Sequence, residues 1–130
     1  MSRVGAPLGN KYRLGKESKS TFKAIVHPTI QDIYFAAGVW FGEGTCGQTR
    51  HGSAMANVDQ VDPWITCWMI ERFGGSKKAH HHKLVSGNGI NHRWTVYGAR
   101  ARGFLMTIYK LMSPKRKTQI RKALGLEDSP

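Results

Sequence analysis

The sequence predicts one α+β domain of the order αββαββα, with an antiparallel sheet, helices on one face and a short extra C-terminal helix. Three observations predict it. Two stretches of helical apolar period each run into paired glycines, at 42 and 44 and at 74 and 75. Two further stretches alternate apolar and polar residues in pairs divided by glycine-bearing turns, as hairpins do. The length of 130 residues suits a single domain, and 40% apolar content with four Trp supports a core.

The elements follow in order. Residues 1–28 hold six Lys/Arg, one acid and scattered glycines with no apolar period, which reads as a flexible basic arm. Order is expected from Pro28, and the domain over 29–125. Thr29 can cap a helix that carries Ile30, Ile33, Ala37 and Trp40. Strands are expected over 45–50 and 53–60, parted by His51-Gly52, with Ala54, Ala56 and Val58 on one face. Asp62-Pro63 opens a helix with the stripe Ile65, Trp68, Met69 and Phe73. Segments 77–85 and 91–98 read as a hairpin across Ser86-Gly87-Asn88-Gly89. A third helix spans 99–112 with Phe104, Leu105, Ile108, Leu111 and Met112. Ser113-Pro114 starts a last basic helix, and 126–130 form a tail.

Charge narrows the partner. Lys plus Arg number 20 and Asp plus Glu 8, a formal charge of +12. Such an excess favours a polyanion, nucleic acid or an acidic membrane surface. A membrane-lying helix would need the apolar face that a small core requires, and no apolar run approaches the roughly 18–20 residues of a spanning helix. No membrane partner is expected. The start Met1-Ser2-Arg3-Val4-Gly5 lacks a secretory apolar region. Cys46 and Cys67 are too few for a disulfide framework, so a reducing cytoplasm or an organelle is expected. His80-His81-His82 sits on a strand, where only alternate residues share a face, and no further ligand has useful spacing; zinc is not expected.

The first helix is unusual. In Ala36-Ala37-Gly38-Val39-Trp40-Phe41-Gly42-Glu43-Gly44, small residues crowd one side and two glycines lie four apart. Each interior glycine costs about 0.5–1 kcal/mol relative to Ala, and close approach of a second helix would compensate. Glu43 opposes the helix dipole at the C-terminal end. A residue set against both propensity and dipole is a functional candidate.

This segment resembles the nine-residue motif of the LAGLIDADG homing endonucleases, in the variant ending Gly-Glu-Gly. It matches at Ala37, Gly38, Gly42, Glu43 and Gly44. It departs at Ala36, where the motif has Leu, and at Phe41, where it has Asp. The order of elements, Val58-Asp59-Gln60, Phe73-Gly74-Gly75, Trp94-Thr95-Val96-Tyr97-Gly98 and the basic segment 111–119 are similar to the family as well. The resemblance covers residues 30–124.

It implies a site-specific double-stranded DNA endonuclease using Mg²⁺ or another divalent cation. A single motif implies a homodimer, with Ala37, Gly38, Phe41 and Gly42 at the interface. Glu43 and Gly42 are the implied metal-holding residues, and Glu43, Gln60 and a basic residue of the run 115–117 the catalytic set, Lys117 ahead of Arg116. Phosphodiester hydrolysis needs charge stabilised at the attacking and leaving oxygens, which such a cation supplies. Arg50, Lys77, Lys83 and Arg93, on or beside the hairpins, and Lys115 are the candidate DNA contacts. Residues 100–122 carry eight Lys/Arg and no acid, a phosphate-tracking composition. The rival reading is a DNA- or RNA-binding protein without cleavage, a regulator or splicing cofactor.

Overall fold

The computed structural model describes residues 21–84 and 87–126, with backbone alone over 80–84 and 87–88. Residues 1–20 of the expected arm and 127–130 of the expected tail lie outside the described residues. Thr29 and Asp32 form a reciprocal capping box, and Thr29's backbone N–H holds the Asp32 carboxyl below its usual range. Helix α1 then spans Ile30–Glu43 and buries Ala36, Ala37 and Trp40. Strand β1, Gly44–Gln48, leaves it directly and pairs with β2, Ala54–Gln60. Asp62 caps α2, Pro63–Phe73, by accepting the N–H of Trp64. Strands β3, Ser76–Leu84, and β4, Gly87–Tyr97, follow, then α3, Gly98–Ile108. A 3₁₀ turn, Tyr109–Leu111, leads to α4, Pro114–Ala123, capped by Ser113.

The four strands form one antiparallel sheet in the order β1-β2-β4-β3. Ala54, Ala56, Val58, Trp94 and Val96 are buried on one face, packed with Trp40, Met69, Leu105, Ile108 and Ile120 from the helices. The Trp94 indole donates to the Gly74 carbonyl at 2.8 Å, tying the end of α2 to β4. Phe104 meets Trp94 and Phe73 edge-on, at 5.0 and 5.1 Å between centroids. Gly75, at φ 113°, is confined to glycine twice over, since a Cβ would also lie 2.6 Å from the Thr95 carbonyl.

Several boundaries differ from expectation. Strand β4 starts at Gly87, so Gly87-Asn88-Gly89 pairs with 82–84 instead of forming the turn. Helix α3 stops at Ile108 and tightens into the 3₁₀ turn ahead of Ser113-Pro114. The bonded body begins before Pro28. Phe22 and Gly75 exchange two backbone hydrogen bonds, and the Ile25 and Val26 N–H groups donate to the Glu71 carbonyl. A helix end leaves carbonyls without partners, and this segment satisfies one.

Candidate functional site

The C-terminal end of α1 gathers the motif residues. No basic residue occupies the last turn of the helix, and Glu43 is exposed there with no hydrogen-bond or ion-pair partner among the described residues. The balancing cation comes from α4. Arg116 donates through Nη2 to the carbonyls of Phe41 at 2.8 Å, Gly44 at 2.9 Å and Trp40 at 3.3 Å, and through Nη1 to Gln119. Its guanidinium lies over the Trp40 ring, 4.5 Å from the centroid. Arg116 is thus a helix cap, which offsets the dipole penalty on Glu43. Of the two basic candidates, Lys117 keeps the freer charge, its ammonium 5.4 Å from the Tyr109 ring centre. Lys115 is exposed. Gln60 ends β2. Since Gly44 pairs with Val58, the antiparallel register brings Glu43 and Gln60 to the same end of the sheet.

The motif glycines divide by role. A Cβ on Gly44 would overlap the Trp40 ring, so this chain's own packing requires glycine there. A Cβ on Gly38 or Gly42 would meet nothing within 4 Å. Beside them runs an apolar groove lined by Tyr34, Ala37, Gly38, Phe41, Leu111 and Met112. Tyr34, Phe41 and Leu111 are exposed large apolar side chains. Ala37 is the exception among the expected interface residues. It is 4% exposed and belongs to the core, because it lies on the inward stripe with Ala36 and Trp40.

The sheet face opposite the helices is polar. Across it the register aligns Thr45, Asn57, Thr95 and Ser76 in one row, and Asp59, Arg93 and Lys78 in the next. The Thr45 hydroxyl bonds the Asn57 side chain. Arg93 grips Asp59 with two hydrogen bonds, at 2.6 and 2.8 Å, which raises its pKa further. It is not a free cation. Lys77 pairs with Trp94 and shares its helix-side face, where its ammonium reaches Cys67 at 3.6 Å. This one-residue alternation puts Lys77 on the helix-side face and Lys78 on the open one. Arg50 sits in the exposed turn after β1. Lys83 pairs with Asn88 along the β3–β4 ladder, and its side chain, like those of His80, His81 and His82, lies outside the described residues.

Among the described residues, no three His, Cys, Asp or Glu side chains converge as a metal site. Within one copy, Glu43 and the Gly42 carbonyl, which Arg116 leaves untaken, offer oxygen donors of the kind Mg²⁺ accepts. No described helix is long and apolar enough to cross a membrane. No protein-family model, curated protein or solved structure matches the chain.

Proposed function

We propose that this chain is a LAGLIDADG-like endonuclease that dimerises along α1 and cuts double-stranded DNA with Mg²⁺ or another divalent cation. One observation carries the reading. Two helical glycines with open space at their Cβ positions lie on the same helix as an unpartnered terminal carboxylate. Nothing among the described residues repays the propensity cost of Gly38 and Gly42, whereas a second α1 laid across them would. The same approach brings the partner copy's carboxylate to Glu43, completing a site that one chain only half supplies. The element order and the sheet order β1-β2-β4-β3 support the same reading.

Each residue then has a task. Glu43 and the Gly42 carbonyl hold the cation, which stabilises negative charge on the phosphate when bound. Gln60, at the same sheet end, orients water. Lys117 faces the developing charge, since Arg116 is occupied by three carbonyls. Lys78, Lys115 and Arg50 contact phosphates, and the polar sheet face meets the groove.

A reading without cleavage, as a DNA- or RNA-binding protein, gains from the capping role of Arg116, which takes that cation out of the candidate catalytic set. Supercoiled plasmid libraries incubated with Mg²⁺ or with EDTA separate the two. Metal-dependent linear product supports the nuclease, and retardation of the library with no cutting supports the binder.

A further inference from the structure

On the open face of the sheet, the row Asp59, Arg93 and Lys78 holds one guanidinium in a fixed orientation. Arg93 gives one edge of its planar fork to Asp59, Nε–H to Oδ1 at 2.6 Å and Nη2–H to Oδ2 at 2.8 Å. At its other edge Nη1 and Nη2 each direct one N–H outward in parallel, and that edge makes no hydrogen bond among the described residues. The two side chains are 39% and 35% exposed, and an ion pair at that exposure adds little stability. Its consequence is orientation. We infer that Arg93, aligned by Asp59, reads a guanine in the major groove of duplex DNA through its free edge. The inference rests on the duplex partner proposed above, and gives Arg93 a task distinct from the phosphate contacts of Lys78, Lys115 and Arg50.

Charge separates a base from a phosphate here. Arg93 and Asp59 are neutral as a pair, and the carboxylate repels any phosphate brought to the guanidinium. A base edge carries no formal charge and meets no such repulsion. Two parallel N–H donors match the two neighbouring major-groove acceptors of guanine, O6 and N7. Adenine presents one acceptor and one donor there, cytosine a donor and thymine a single acceptor. Guanine alone takes both N–H groups. Alignment also lowers the cost of contact, because a free arginine loses rotamer freedom on meeting a base, whereas Asp59 has already fixed this one. Asp59 is thus a positioning residue, and Arg93 the residue that touches the base. Lys78, next in the row, and the chain's charge of +12 supply the attraction to the backbone that the neutral pair does not.

The test uses the full chain in EDTA, so that binding is read without cutting. Selection from a randomised duplex library is expected to return guanine at a fixed position of the bound site. Replacing that guanine by adenine is expected to weaken wild-type binding about tenfold, within the range of one bidentate base contact. Replacing it by 7-deazaguanine, which loses only the N7 acceptor, is expected to weaken binding by less. The double variant Asp59→Asn with Arg93→Met removes one charge of each sign, so it should keep the wild-type salt slope and respond to neither replacement. Asp59→Asn alone frees the guanidinium, so guanine preference should fall while the salt slope rises by up to about 0.9. A double variant that keeps every guanine preference, or a wild type that binds duplex with no base preference, overturns the inference. A chain that selects guanine through Arg93 yet stays monomeric or never cuts with Mg²⁺ keeps this inference and fails the nuclease reading. A chain that cuts a site whose base preferences the double variant leaves unchanged does the reverse.

Discussion

At the residue scale, Glu43 and Arg116 divide chemistry from structure. Glu43→Gln keeps size and hydrogen bonding but removes the charge proposed to hold a cation, so on that proposal metal-dependent cutting should be lost. On the same proposal affinity would come from Lys and Arg on phosphates, so gel-shift binding without metal should be retained or slightly improved. Equal cutting by wild type and variant would sink the assignment. Arg116→Met keeps the packing over Trp40 and removes the bonds to three carbonyls, which should cost about 1–3 kcal/mol in urea unfolding. An unchanged midpoint with lost cutting would return Arg116 to catalysis. The sequence offered Arg116 only as part of a dense basic run. Its contacts reach back 75 residues to Phe41, and no local pattern encodes that. Cys46 adds a pH signature. Burial pushes its thiol from 9.0 to about 11, against the pull of Arg116. The folded chain therefore keeps the proton longer than the unfolded one. That contribution is present in full below pH 9.0 and is lost as pH rises toward about 11. Cys46→Ala should flatten the alkaline fall in stability relative to wild type, and parallel pH profiles would remove the effect.

At the element scale, α1 gives the sharpest contrast. Gly38→Ala and Gly42→Ala each add a methyl that meets nothing among the described residues, so each should raise monomer stability by about 0.5–1 kcal/mol. On the proposed dimer the same methyls would lie where a second backbone approaches, so both changes should weaken self-association in sedimentation. Gly44→Ala should destabilise instead, because its Cβ overlaps the Trp40 ring. Stability gained at 38 and 42 with self-association intact would dissolve the small-residue argument. Helix starts were legible because caps are local: Thr29, Asp62 and Ser113 all accept the expected backbone N–H. Strand ends were less so. Gly87-Asn88-Gly89 carries turn composition, yet ladder pairing with β3 overrides it. The face of Lys77 was hidden for a related reason. Alternation fixes which residues share a face, but the side that meets helices follows for Lys77 from its pairing with buried Trp94 on the neighbouring strand.

At the scale of the whole molecule, the charge of +12 is set against few acids, and among the described residues three of these hold arginines. Asp59 holds Arg93, and Asp32 and Glu71 hold Arg72. On the proposed function the cations left over, among them Lys78 and Lys115, are those that would meet phosphates. Binding of duplex DNA should weaken steeply with salt, log K falling by about 0.9 per phosphate neutralised for each tenfold rise in concentration. The basic segment before Thr21 adds five Lys/Arg against one acid, so its removal should flatten that slope. The cut must fall before residue 21. Phe22 pairs with Gly75, and Ile25 and Val26 satisfy the carbonyl of Glu71 at the end of α2. A chain lacking 1–20 keeps those bonds, so its unfolding midpoint should match wild type while its salt slope declines. A chain lacking 1–27 loses the bonds as well, and its midpoint should drop. If removal of 1–20 leaves the slope unaltered, phosphate contact belongs entirely to the sheet and α4, and the leading segment has no part in binding.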